Sequence, residues 1–543
     1  MGEDTFDYVI VGAGTAGALL AARLSEDGKS TVCVLEAGPA DRNLFLHVPA
    51  GYIKALYNPA VTWRYQAEPL AMTAGRAILT TQGRTLGGSS SINGLVYNRG
   101  QAGDFDQWAQ MGNRGWSYAE LLPYFRRSEK RIGAGDASYR GRDGAFTVTD
   151  IDWRHPLCDA FISGVAGLGI PRNPDYNGAT QAGVGYYQRA IHRGRRVSTA
   201  RAFLHPARRR GLVDVRANSE AVALLFEEGR VVGVRYREVP LYRNVRARRE
   251  VILCGGALNS PKLLLLSGIG PAAELQQSGI AVRQNLPGVG RNLRDHYAIR
   301  MVARARGLST INNLARPPAL WWEVAKWLLG RPSILALSPS LVHVFWKSMP
   351  ALDRPDLQFT FTPASYKPGG IAGMLDEFPG ATCGAWQQRP ESTGTVRLRS
   401  GNPGGDPVID PNYLAVETDR RVLIAGIRWA RRFLSTPEIA PFIEREELPG
   451  AGVETDDELL DFARQNGSTV FHFTGSCRMG ADGDPGAVVD PDLRVRGVAG
   501  LRVVDASIMP TMPSANTNAA TLAVAEKAAD LILGRPALAP VPL

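Results

Sequence analysis

Two groups of residues in this chain have the types and spacing for chemistry. The first is Gly12-Ala13-Gly14-Thr15-Ala16-Gly17, which follows directly on the apolar run Phe6-Asp7-Tyr8-Val9-Ile10-Val11 and precedes a small, aliphatic stretch over 18–24. A strand, a GxGxxG turn and a helix in that order suit a dinucleotide. Gly12 allows the tight turn, Gly14 lets a pyrophosphate approach bare backbone, and Gly17 lets the helix pack close to the strand. The helix start then offers free N–H groups and a partial positive charge. Glu36 closes the next apolar run, 31–35, where a carboxylate can take ribose hydroxyls and repels a 2′-phosphate. That sets NADP aside and leaves NAD and FAD.

The second group surrounds His472, in Thr469-Val470-Phe471-His472-Phe473-Thr474-Gly475-Ser476-Cys477-Arg478-Met479-Gly480. A neutral imidazole titrates near the working pH and can remove a hydroxyl proton as hydride leaves carbon. Read as a strand, the segment turns Phe471 and Phe473 to one face and His472 to the other. On spacing alone, the plainer reading is a hydrogen-bonded core histidine. The remaining histidines are His47, His155, His192, His205, His296 and His343. The cysteines, Cys33, Cys158, Cys254, Cys383 and Cys477, are odd in number and widely spaced, with no CxxC. No disulfide framework and no metal site is expected, and a reducing cytoplasm fits.

Positioning these groups takes more than one simple core. The chain has 543 residues, 44% hydrophobic and 21% charged, which indicates two interleaved domains and excludes disorder. Strands are expected at 6–11, 31–35, 213–222, 230–236, 250–254, 357–361 and 501–505, with a hairpin turn at 227–230. Helices are expected at 18–24, from 261 to 266, at 420–434 and at 519–533. The stretch 40–150 is rich in Gly, Pro and Asn and reads as an extended loop excursion. Net charge is +10, but the 62 basic residues are spread among 52 acidic ones. The densest groups, 193–196, 208–210 and 246–249, are short, so a solvated basic surface is expected rather than nucleic-acid binding. The chain enters its first strand without a signal-like region, and no run of about 18 apolar residues predicts a transmembrane helix. Trp321, Trp322, Trp327, Leu328, Leu329, Phe345 and Trp346 cluster within 317–346. That stretch reads as core or lid packing, with peripheral membrane contact as its other use.

Longer motifs separate the two cofactors. Gly83-Arg84-Thr85-Leu86-Gly87-Gly88-Ser89-Ser90-Ser91-Ile92-Asn93 resembles the first signature of the glucose-methanol-choline (GMC) oxidoreductases. Gly256-Ala257-Leu258-Asn259-Ser260-Pro261-Lys262-Leu263-Leu264-Leu265-Leu266-Ser267-Gly268-Ile269-Gly270 resembles the second. Gly288-Val289-Gly290-Arg291-Asn292-Leu293-Arg294-Asp295-His296 is similar to a further family element. So is the tail Leu501-Arg502-Val503-Val504-Asp505-Ala506-Ser507-Ile508-Met509-Pro510 with Asn516-Thr517-Asn518-Ala519. The elements stand in family order from residue 6 to about 533, and the chain is identified as a member, in its choline dehydrogenase- and alcohol dehydrogenase-like branch.

The resemblance implies an α/β protein with a discontinuous, Rossmann-like FAD-binding domain, drawn at 1–155, 200–300 and 466–543. It also implies an α+β substrate domain on an antiparallel sheet, drawn at 156–199 and 301–465. The cofactor contacts it implies begin with Gly12, Gly14, Thr15, Ala16, Gly17, Glu36 and Ala37. Arg84, Leu86, Gly87, Ser89, Ser90, Asn93, Gly94 and Val96 follow, then Val222, Cys254 and Gly255, and finally Asp505, Ala506, Asn516, Thr517 and Asn518. The bare backbone of 86–90 suits a diphosphate or flavin ring, and Asn93 adds an amide for the ring's polar edge. Ile92 stands where some members carry the histidine that attaches flavin covalently, so non-covalent FAD is expected. His472 matches the histidine that stands over the flavin, and Asn516 the second position, His or Asn. The implied roles are general base and orienter, with hydride passing to flavin N5. Gln388, before Arg389-Pro390, stands where a photodecarboxylase branch carries Cys; with His472 present, alcohol oxidation is preferred.

The expected activity is therefore oxidation of a primary alcohol to the aldehyde, with O2 or a quinone or other redox carrier as electron acceptor. An aldehyde- or sugar-oxidising relative and a non-redox flavoprotein lyase are the alternatives on this fold. A flavin-binding protein without activity would not need His472 and Asn516. The Trp-rich stretch near 321–346 points to an aromatic or aliphatic substrate rather than a sugar, and no carboxylate or aromatic cage for choline can be located.

Overall fold

The computed structural model describes residues 4–367 and 375–542. Two large sheets, I and II, share the chain by turns. Sheet I takes β1 (Asp4–Val11) and β2 (Val32–Leu35), then sheet II takes β3 (Gly183–Tyr186). Sheet I resumes with β4 (Val213–Arg216), β5 (Glu220–Glu227), β6 (Arg230–Glu238) and β7 (Leu241–Leu253). Sheet II follows with β8 (Tyr297–Ala305), β9 (Val342–Trp346), β10 (Leu357–Thr362), β11 (Gly380–Gln387), β12 (Ile443–Leu448) and β13 (Ser468–Thr469), and sheet I closes with β14 (Leu501–Val503). The helices that matter to the site are α1 (Thr15–Leu24), α2 (Ala102–Gln110), α3 (Tyr118–Ser128), α4 (Gly256–Leu266), α5 (Ala319–Leu328), α6 (Glu417–Leu434) and α7 (Asn518–Leu533).

Sheet I runs β4-β2-β1-β7-β6-β5, with β14 on the free edge of β7's last residues. Its β4, β2, β1, β7 and β14 are parallel, and a parallel sheet covered on both faces needs strands that are apolar throughout. Val-Cys-Val-Leu of β2 is wholly buried, as are Val9 and Ile10 of β1 and Val251-Ile252-Leu253 of β7. The polar first half of β7 leaves this core and pairs antiparallel with β6. α7 packs on α1 and α3 through alanines and leucines, and Arg23 forks onto Glu526 at 2.9 and 2.8 Å.

Sheet II is antiparallel, in the order β12-β8-β11-β10-β9-β3. Its strands alternate. Ile299, Met301, Ala303, Phe359, Phe361, Cys383 and Ala385 face a second core shared with Val422, Leu423 and Ile427 of α6. The opposite face carries Arg300, Gln358, Thr360, Thr362 and Thr382.

Several expectations need correction. The strand expected over 213–222 is two strands, because Asn218 at φ 56° turns the chain between β4 and β5. The helix expected from 261 starts at Gly256, with Pro261 inside it. Proline removes the N–H that would bond the Ala257 carbonyl, and Ser476 Oγ donates to that carbonyl instead, at 2.5 Å. The excursion over 40–150 contains α2 and α3; the capping box at α3, where Ser117 N donates to Glu120 Oε2 at 3.0 Å, was its legible signal. The strand expected over 501–505 stops at Val503. The Trp-rich stretch divides: Phe345 is core, but Trp321, Trp322, Leu328 and Leu329 are 67%, 61%, 72% and 69% exposed. α5 lies on the surface because it buries only Glu323, which pairs with Lys326 and accepts from Ile334 N. Among the described residues, no helix is long and apolar enough to cross a membrane.

Candidate active site

One cavity of about 740 Å³ runs between the sheets, from the glycine turn after β1 to His472. At its first end, Gly12 holds φ 102°, and a Cβ there would meet Cys254 O at 2.5 Å. A Cβ on Gly17 would meet Gly12 O at 1.9 Å, so the helix could not pack on the turn. Gly14 differs: a Cβ would meet nothing nearer than 3.9 Å, so its bare backbone faces space a ligand can use. It gives α1 no side-chain cap, which leaves the first-turn N–H groups for an anion.

Glu36 is buried against this turn. Its Oε2 accepts from Ala13 N at 3.0 Å and its Oε1 from Gly38 N at 2.8 Å. Burial pushes its pKa up to about 7, against the pull of those two amides. Each oxygen keeps an acceptor site for a hydroxyl on the cavity side. Asp505 has a different job: it accepts from Gly256 N at 2.8 Å, Ser260 Oγ at 2.5 Å and Ser507 N at 2.8 Å, clamping the start of α4 to the end of β14. Thr15 Oγ1 donates to Asn518 Oδ1 at 2.8 Å, which ties the starts of α1 and α7 together. The turn, the spare carboxylate acceptors and the uncapped helix fit a dinucleotide.

Most residues expected at a cofactor do line the cavity: Gly12, Gly14, Thr15, Ala16, Glu36, Ala37, Ser89, Asn93, Gly94 and Val96. Cys254, Gly255, Asp505, Ala506, Asn516, Thr517 and Asn518 line it too. Gly17, Arg84, Leu86, Gly87, Ser90 and Val222 stand outside the lining. Gly87 N donates to Ala13 O at 2.8 Å, so residues 86–90 lie directly on the glycine turn, with Leu86 in the core and Ser90 Oγ spent on Gly87 O at 2.6 Å. The Arg84 guanidinium sits 4.8 Å over the Trp63 ring, on the hairpin of Thr62–Gln66 and Leu79–Gly83. Val222 points away because strand alternation gives the cavity Ala221 instead. Ile92 is buried at the cavity wall.

His472 is not on a strand. Phe471 takes φ 65°, and the two phenylalanines separate: Phe473 joins the cluster of Tyr65 and Leu258, whereas Phe471 packs against that of Leu46 and Ile92. The expectation that they share a face therefore fails, since a left-handed residue breaks the alternation. Asp295 holds the segment, accepting from His472 N at 2.7 Å, Thr469 Oγ1 at 2.5 Å and Tyr413 OH at 2.5 Å. Burial pushes the Asp295 pKa up to about 7 despite those donors.

Histidine protonation follows from the partners. His296 is fully buried, and its Nε2 lies 2.7 Å from the Gln388 carbonyl, which can only accept. Burial pushes the His296 pKa down to about 4, so the ring is neutral with its proton on Nε2. Its Nδ1, 2.9 Å from His472 Nδ1, must then accept from it. His472 Nε2 is left with a lone pair, toward which Asn516 Nδ2 donates at 3.1 Å. Gln358 Nε2 donates to Asn516 Oδ1 at 3.3 Å and to Tyr187 OH at 2.8 Å, which fixes the amide's sense. Burial, then the neighbouring His296, holds the His472 pKa well below the usual imidazole range. The arrangement is a neutral base with its basic nitrogen facing the cavity beside an amide donor.

Sequence reasoning missed His296, Asp295, Gln358 and Trp386, whose ring lies 6.5 Å from that of His472. Asp295 and His296 close a motif already singled out. Gln358 was legible as the polar member of a strand whose other face, Leu357, Phe359 and Phe361, is apolar. The Trp-rich stretch was a false pointer to the substrate: Trp321, Trp322, Trp327 and Trp346 do not line the cavity. Among the described residues, no group of His, Cys, Asp and Glu could hold a metal.

Family models described as GMC oxidoreductase match residues 6–298 and 390–525. The chain is 40% identical over 531 residues to the alcohol dehydrogenase (acceptor) of Pseudomonas putida, covering 97% of this chain and 96% of that protein. It is 40% identical over 544 residues to the mitochondrial choline dehydrogenase of Homo sapiens, covering 99% and 91%. Among solved structures, pyridoxine 4-oxidase from Mesorbium loti superposes with a TM-score of 0.86 at 33% identity, covering 96% of this chain and 98% of that one.

Proposed function

The chain belongs to the GMC oxidoreductases, and from that membership we propose that it oxidises a primary alcohol to the aldehyde with FAD, using His472 as general base. FAD, when bound, supplies the hydride acceptor at flavin N5. Gly12, Gly14 and the first turn of α1 are suited to its diphosphate, and Glu36 to its ribose. The proposed division of the chain follows the sheets: a discontinuous FAD domain around sheet I and a substrate domain on sheet II. With Ile92 at the attachment position, the cofactor is held without a covalent bond.

The single observation that carries this reading is the lone pair of His472 Nε2, presented to the same cavity as the glycine turn and flanked by Asn516 Nδ2 at 3.1 Å. A substrate hydroxyl placed between them gives its proton to Nε2. The Asn516 amide, released from the imidazole, turns its N–H to the oxygen and holds the negative charge that grows there. His296 keeps the receiving nitrogen unprotonated. Trp386 closes one wall and excludes water. The acceptor that reoxidises the enzyme is O2 or a quinone or other redox carrier. The test is anaerobic mixing of holoenzyme with a panel of primary alcohols: the flavin absorbance should bleach, and no bleaching by any alcohol would overturn the reading. Peroxide formed on admitting air then separates oxidase from dehydrogenase.

A further inference from the structure

The polar face of sheet II lines the cavity, and its rungs are set by register. Ala298, Trp386 and Gln358 lie side by side on β8, β11 and β10; Arg300, Gly384 and Thr360 form the next rung. The first rung belongs to the base site, through Trp386 beside His472 and Gln358 on Asn516. The second lies two residues along the strands, about 6.6 Å away. Gly384 contributes no side chain there, so the floor beside Arg300 is open.

Arg300 is exposed into this space and makes no hydrogen bond or ion pair with any described residue. Its charge is felt by Tyr52 and Tyr366, two neighbouring phenols that line the same cavity. The carboxylates of the lining, Glu36, Glu220 and Asp505, all belong to sheet I strands or their ends. Glu220 is paired with Arg237 at 2.5 Å, Asp505 is held by Gly256, Ser260 and Ser507, and Glu36 faces the ribose end of the cavity. Sheet II adds no carboxylate to the lining and one charged group, Arg300.

We infer that the alcohol oxidised here carries a carboxylate, bound by the Arg300 guanidinium with the Tyr52 and Tyr366 hydroxyls as further donors. The inference rests on the reading of His472 as the base that receives the hydroxyl proton. A planar guanidinium matches a carboxylate two bonds at a time, and two neutral phenols suit a monoanion. The rung spacing asks for roughly 6–7 Å between the carbinol carbon and the acid group, the reach of a para-substituted benzyl alcohol or a medium ω-hydroxy acid. The same guanidinium repels a quaternary ammonium, so a choline-like cation is the wrong charge for this floor.

The test compares 4-(hydroxymethyl)benzoate with benzyl alcohol, and 6-hydroxyhexanoate with 1-hexanol, by anaerobic flavin reduction. The carboxylates should be favoured in kcat/KM by about 10- to 100-fold, and choline should be the poorest substrate. Arg300→Gln should bring the ratio near one, and R300E should turn the preference toward an ammonium-bearing alcohol. Equal rates for acid and neutral alcohol in the wild type, or an unchanged ratio in R300Q, would overturn the inference. Calorimetric titration of holoenzyme with benzoate, which has no hydroxyl, separates the two readings. If no alcohol reduces the flavin but benzoate binds in an Arg300-dependent way, the base assignment fails and the anion site stands. If benzoate fails to bind the wild type, or binds wild type and R300Q alike, the anion site falls whatever the alcohols do.

Discussion

The Nδ1 atoms of His296 and His472 lie 2.9 Å apart, and one proton is shared between them. Because His296 Nε2 must donate to the Gln388 carbonyl, that proton belongs to His472, and the basic nitrogen of the pair is His472 Nε2. His296 therefore acts as a positioning residue. His296→Phe removes the acceptor and frees the His472 ring to take either tautomer. We expect kcat to fall about tenfold or more with a smaller change in KM. An unchanged kcat would refute the assignment.

His472→Ala should slow flavin reduction a thousandfold or more while FAD stays bound, and Asn516→Ala should cost less, about a hundredfold. Stopped-flow absorbance measures both. Near-normal reduction by H472A would exclude it as the base.

The acid limb should lie below the ordinary imidazole range. The base must be neutral to receive a proton, and burial holds the His472 pKa down. As pH falls through 6.5 the residue stays competent, and activity is lost only at lower pH. A limiting reduction rate already halved at pH 6.5 would contradict this.

Flavin should be released completely by acid denaturation, leaving a colourless precipitate, because Ile92 offers no nucleophile. Glu36→Ala should weaken FAD binding by at least about tenfold, since it strips two turn amides of their acceptor as well as the ribose of its partner. Retention of FAD by the variant through gel filtration would remove Glu36 from the cofactor site.

His343 is fully buried among Tyr176, Phe345 and Tyr187, at 4.5, 5.1 and 5.3 Å between ring centroids, and neither ring nitrogen makes a well-formed hydrogen bond. Burial pushes its pKa down to about 3. The unfolded chain takes up a proton near pH 6.5 that the folded chain refuses, so native stability drains away as pH falls from about 6.5 toward 3. His343→Phe lacks that proton. Relative to wild type, it should gain about 2 kcal/mol on going from pH 8 to pH 5, measured by urea unfolding. A pH-independent difference would argue against a neutral buried imidazole.

What the sequence made legible was whatever is encoded locally. The apolar run before Gly12, the small residues after it and Glu36 lie within one short βαβ unit, and all three stand where expected. His472 and Asn516 were legible only through resemblance, because they meet across 44 residues of chain that include β14. The left-handed turn at Phe471 depends on Asp295, which arrives from 177 residues away, so no local periodicity could reveal it. Pro261 misled for a related reason: a helix tolerates it only because a serine from 219 residues away satisfies the freed carbonyl. The tryptophans near 321 read as core or lid packing, yet Trp321 and Trp322 stand exposed on α5.

The bond from Thr15 to Asn518 and the fork from Arg23 to Glu526 each span 503 residues. A ribosome therefore delivers the nucleotide turn long before the helix that holds its far side, and β14 arrives almost as late. For most of synthesis the turn has no back wall. The nascent chain must keep β1, β2 and α1 soluble with one flank bare, so cofactor capture waits until α7 has been made.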